Sequence, residues 1–172
     1  MDELYQESSQ VNLLVALLLR FPILSRVHYY PQENQIKMVI FLKEMTEDNF
    51  KQLGNKISEH LEGHNQLLYK DHYPVEIHQD NSADLSSIII LHQLNLSFCE
   101  EITIILELIK DNLESAIITE GTQFLDDLLV TKDDLEELII KARNENNKTK
   151  LIGLRSDGKV LVYSDQHRNL SS

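Results

Sequence analysis

The 172-residue chain has a single cysteine, Cys99, so it can close no disulfide within itself. A lone thiol fits a reducing compartment, and a cytoplasmic location is the expectation that follows. Glycine is scarce, with 5 residues, and neither Gly-x-Gly-x-x-Gly nor Gly-x-x-x-x-Gly-Lys-Ser/Thr occurs. Both familiar phosphate-cradling loops are therefore missing. There is no Cys-x-x-Cys, and the acidic run Asp133-Asp134-Glu136-Glu137 and the pair Asp126-Asp127 lack the spacing of a calcium loop. Long apolar runs are also missing: the longest, Leu13 to Leu19, is 7 residues, where a membrane span needs about 20. The chain opens Met1-Asp2-Glu3, acidic where a secretory leader needs basic residues. Neither membrane insertion nor export is expected. The Asn-x-Ser/Thr matches at Asn95, Asn147 and Asn169 are accordingly read as chance.

Basic residues are few as well. Lys plus Arg is 16 against 28 Asp plus Glu, a net charge of −12. Residues 100–137 alone hold 2 basic and 12 acidic side chains, whereas residues 138–172 hold 7 basic and 3 acidic. Nucleic-acid binding needs a basic stripe that displaces counterions, so nucleic acid is not an expected partner. The basic side chains near the C-terminus, Lys141, Arg143, Lys148, Lys150, Arg155 and Lys159, are read as solvated surface or as a contact between copies.

What the chain does have is regular patterning. Ser8 and Ser9 precede an apolar stretch that Pro22 ends, and its leucines cover nearly every side of the predicted helix. Such a helix is buried, either in its own core or against a second subunit. Two extended segments follow, at about 23–30 and 35–43, joined by Pro31-Gln32-Glu33-Asn34. Ile36, Met38, Ile40 and Leu42 alternate with Val39 and Phe41, the signature of an interior strand. Thr46 starts a helix in which Phe50, Leu53, Ile57 and Leu61 form an inward stripe, and Gly63 is expected as its C-cap.

The order then recurs. An extended region over 66–78, a polar loop from Gln79 to Asp84, a strand from Ser87 to Leu96 and a helix over 98–112 are expected, the helix opened by a capping box of Ser97 with Glu100. Phe124, Leu125, Leu128 and Leu129 suggest a short helix, and Thr131 with Asp134 caps another. Asp157-Gly158 between alternating apolar residues reads as a type I′ hairpin that sets Leu154 opposite Leu161 and Ile152 opposite Tyr163.

The fold class expected is α+β: a predominantly antiparallel sheet with helices packed on one face, built from two strand–strand–helix units, a helical segment and a C-terminal β-hairpin. Residues 1–114 form the expected core domain, 115–165 an extension packed on it, and 166–172 a disordered tail. The two units share no residue-level repeat.

Candidate chemistry is sparse. His60, His64, His72 and His78, with Glu62, Asp71, Glu76 and Asp80 nearby, are the candidate metal ligands. The Gly63 C-cap places His64 beyond the helix that carries His60, and Leu61 stands where a His-Glu-x-x-His motif needs its glutamate. His92, on an apolar strand face, reads as a core histidine satisfied by a backbone carbonyl, and the alternative is a catalytic base. Cys99 reads as a buried, unreactive thiol. Tyr29, Tyr30, Tyr69 and Tyr73 are read as core or interface aromatics. No catalytic residue and no cofactor is expected. The function expected is a non-catalytic protein-interaction or regulatory module acting as a homodimer, with itself and another protein as partners. The alternatives are a small metal-dependent enzyme using the histidine cluster, and a small-molecule sensor with a pocket near His92.

Overall fold

The computed structural model describes residues 8–68, 75–82, 85–119 and 130–165. Expectations about His72, Asp71, Tyr69, Tyr73, Asp126-Asp127, the short helix at 124–129, Asn169 and the tail at 166–172 lie outside these residues.

Helix α1 spans Ser9–Arg20. Its N-terminus is held by the Glu145 carboxylate, which accepts from the Ser8 hydroxyl at 2.7 Å and the Ser9 N–H at 2.8 Å. An anion at this end satisfies free amides and the helix dipole together. Leu13, Leu14, Leu17 and Leu18 are fully buried. These four are spent on the chain's own core, while Val11, Val15 and Leu19 stay half-buried along one side.

Strands β1 (Arg26–Tyr30) and β2 (Gln35–Leu42) form a hairpin through a turn in which Asn34 takes a φ of 52°. Helix α2 runs Glu47–Leu68, opened by the Asn49 N–H donating to Thr46 Oγ1. Gly63 does not end it. The helix continues through Gly63, because an exposed glycine inside a helix costs only about 1 kcal/mol. The extended region expected at 66–78 is therefore corrected: residues to 68 are helical, and strand β3 is Glu76–Ser82. The polar loop expected at 79–84 is mostly this strand, whose polar residues suit an edge exposed to water.

Strand β4 is Leu85–Gln93 and helix α3 is Phe98–Leu113. The expected capping box at Ser97 does not form. The Ser97 hydroxyl and amide both donate to Asn95 Oδ1, and Glu100 is engaged elsewhere. Helix α4, Lys132–Asn144, does carry the capping box of Thr131 and Asp134. Strands β5 (Leu151–Ser156) and β6 (Lys159–Ser164) pair in the expected register, Leu154 opposite Leu161 and Ile152 opposite Tyr163. Asp157 and Gly158 take φ values of 51° and 74°, the two positive angles a type I′ turn requires.

The six strands make one antiparallel sheet in the order β3-β4-β2-β1-β5-β6. The fold class is α+β, as expected, and β2 is interior. Residues 130–165 thus supply both α4 and two strands of the same sheet. The closed face carries Val27, Ile36, Met38, Ile40, Ile88 and Ile90, all fully buried. Helix α1 lies so close to β5 that a Cβ on Gly153 would meet Leu18 Cδ1 at 3.1 Å and Leu14 Cβ at 3.3 Å. Any other residue there would have to push these leucines back by a few tenths of an ångström. Among the described residues no helix is long and apolar enough to cross a membrane.

Candidate functional site

Because α2 continues past Gly63, His60 and His64 sit one turn apart on the same helix. They do not converge on a common point with His78. The exposed His60 ring donates from Nδ1 to the Lys56 carbonyl at 2.8 Å. His64 turns toward α3, its Nε2 3.1 Å from Glu100 Oε2 but without the angles of a hydrogen bond. The other Glu100 oxygen accepts from Lys132 Nζ at 3.1 Å, and this bond raises the lysine pKa above its ordinary value. Glu100 therefore ties α2, α3 and α4 together. His78 stands on β3, exposed, 3.5 Å from Glu76. Among the described residues, no group of three or more His, Cys, Asp and Glu side chains is arranged to hold a metal ion.

His92 is buried, with side-chain exposure of 1%. Its Nδ1–H donates to the Gln93 carbonyl at 2.5 Å, as expected, but Nε2 also lies 2.7 Å from Glu101 Oε2. A carbonyl only accepts, so Nδ1 carries a proton. The short Nε2···Oε2 contact then needs one further proton between the two groups. The pair is neutral overall, whether drawn as imidazolium–carboxylate or imidazole–carboxylic acid. Glu101 is exposed by 3%, and the Phe98 ring meets the imidazole edge-on at 5.2 Å. This buried arrangement joins β4 to α3.

Cys99 is buried, and burial pushes its thiol up to about 11, with Glu136 adding to the rise. At neutral pH the group is a thiol and a poor nucleophile.

The remaining chemistry lies on surfaces. The second face of the sheet, reached by alternating along each strand, carries Phe41, Ile89, Leu91, Ile152 and Leu154, all half-buried, with Leu161 and Tyr163 exposed by 47% and 46%. Cations lie across it. Arg26 sits over the Phe41 ring and Lys150 over the Tyr30 ring, each 5.5 Å from the centroid. At one edge, between α2 and β3, a groove of about 660 Å³ opens to solvent.

No protein-family model, no curated protein and no solved structure matches the chain. Sequence reasoning missed Glu101, the apolar second face and the groove. Glu101 carried a signal: a glutamate on the inward stripe of an amphipathic helix needs a partner.

Proposed function

We propose that the chain is a non-catalytic protein-interaction module that works as a homodimer, two copies pairing through the open faces of their sheets. The observation that carries this reading is the set of large apolar side chains on that second face, which they share with Arg26, His28 and Lys37. An antiparallel sheet with one solvated face ordinarily places polar residues there, yet here Phe41, Ile89, Leu91, Ile152, Leu154, Leu161 and Tyr163 share it. Exposed apolar side chains grouped among polar ones in this way are common where proteins meet. Arg and Tyr are also enriched where proteins meet.

Charge favours a second copy as occupant. A twofold axis parallel to the strands lays β3 of one copy over β6 of the other. Asp80 on β3 then lies level with Lys159 on β6, and the same pair forms twice. Sedimentation equilibrium tests the reading. The expected mass is twice the chain mass of 20.0 kDa, returning to one chain mass for Leu161→Asp combined with Tyr163→Ser. A wild-type mass that stays at a single chain across concentration rejects it.

A further inference from the structure

We propose that the groove between α2 and β3 receives an extended, basic segment of a partner protein, which adds to β3 as a seventh strand. Among the described residues β4 is the only strand paired with β3. The outward row of N–H and C=O groups along Glu76–Ser82 is therefore a template for another strand. Proteins protect such edges with proline, lysine or a bulge. β3 has no proline and no lysine, and its register with β4 runs without interruption from Glu76 to Ser82. A peptide added to a sheet edge draws affinity from its backbone and specificity from pockets for alternate side chains.

The groove supplies such pockets. Half-buried Phe50, Val75 and Ile77 line it, with Glu47 and Asp48 beside them. Glu76 stands exposed on the same strand, its side chain on the face opposite Ile77, and Lys51 is the only lysine or arginine among the lining residues. The balance is acidic, in a chain of net charge −12, which selects lysine and arginine in the incoming segment, interspersed with aliphatic residues.

Gly54 is the second, independent observation. It lies inside α2 and lines the groove. Glycine is unfavourable within a helix and is normally kept for a close approach. Here a Cβ would meet no atom within 4 Å. Packing does not demand the glycine, and any larger side chain would project into the groove. Gly63 has equally open surroundings but does not line the groove.

The test uses the full chain and a fluorescein-labelled ten-residue peptide of alternating lysine and valine, read by fluorescence polarisation. Binding is expected, falling with added salt. The same peptide N-methylated at alternate amides cannot complete the ladder and should bind about ten-fold more weakly or worse. Gly54→Leu projects into the groove and should weaken binding about ten-fold or more while its melting temperature stays level or rises. Glu47→Gln with Asp48→Asn should weaken binding several-fold without filling anything. Absence of binding to the wild-type chain, equal binding of the methylated peptide, or unaltered binding by Gly54→Leu would each overturn the proposal. None of these outcomes bears on the pairing of open sheet faces, which sedimentation reads separately.

Discussion

Along β2, Ile36, Met38, Ile40 and Leu42 have no solvent exposure, while Lys37 and Phe41, one residue out of step, remain half-open. The two faces of the sheet hold comparable aliphatic residues and differ in what covers them. On the closed face the cover is covalently part of the chain: α1 against β1 and β5, and α3 against β4. On the open face the cover is a set of long cations, Arg26 lying on Phe41 and Lys150 on Tyr30. Such side chains screen apolar surface with their stems while their charges stay hydrated. Unlike a helix, they can swing aside. A face built this way keeps its apolar side chains behind movable cover, as the proposed pairing of open faces requires.

Four measurements break or sharpen that contrast. The largest effect is expected at Glu101, whose side chain meets the closed face through His92. Glu101→Ala leaves a buried imidazole without its partner and should cost about 3–5 kcal/mol in urea unfolding; Glu101→Gln should cost less, since it keeps an acceptor. Gly153→Ala pushes against Leu18 and Leu14 and should cost about 1–3 kcal/mol. Its neighbour Leu154→Ala, on the open face, should cost clearly less in the isolated subunit. A reversal of that order would remove the distinction between the faces.

Cys99 gives a pH readout of the closed layer. Its folded pKa, about 11, lies above the ordinary thiol value of 9.0. Ionisation therefore disfavours the folded state: the stability is intact below pH 9 and declines as pH rises toward 11. Cys99→Ala should flatten the slope over that window, and alkylation of the native thiol at pH 8 should be slow. The smallest effect on folding is expected from Leu161→Ser, within about 0.5 kcal/mol in a subunit held monomeric by dilution, although the same change should weaken pairing between copies.

The hairpin at Asp157-Gly158 was legible to the residue, because its turn chemistry and its alternation are both local and agree on one register. The stripe Leu53, Ile57 and Leu61 and the capping box at Thr131 were legible for the same reason. Features that depended on distant neighbours were not. Glycine at position 63 resembles a helix stop, but only the surroundings of α2 decide whether the helix ends. Ser97 with Glu100 has the capping spacing, yet His64 and Lys132 draw Glu100 away, and Asn95 captures the serine. β3 looks like a loop because an edge strand facing water needs little apolar alternation. The candidate metal ligands looked close in sequence, and α2 and β3 carry His60, His64 and His78 to different surfaces. The partner of His92 lies nine residues on, across the bend between β4 and α3, where periodicity carries no information. The open face could be read only after the strand order was known.

The bonds from Ser8 and Ser9 to Glu145, and from Gln10 to the carbonyls of Ala142 and Asn147, join the beginning of the described chain to segments more than 130 residues later. Strand β1 likewise waits for β5 to complete its second ladder. During synthesis the cover over this most apolar helix is therefore complete only once α4 and β5 have been added, and until then its remaining apolar side is exposed to aggregation.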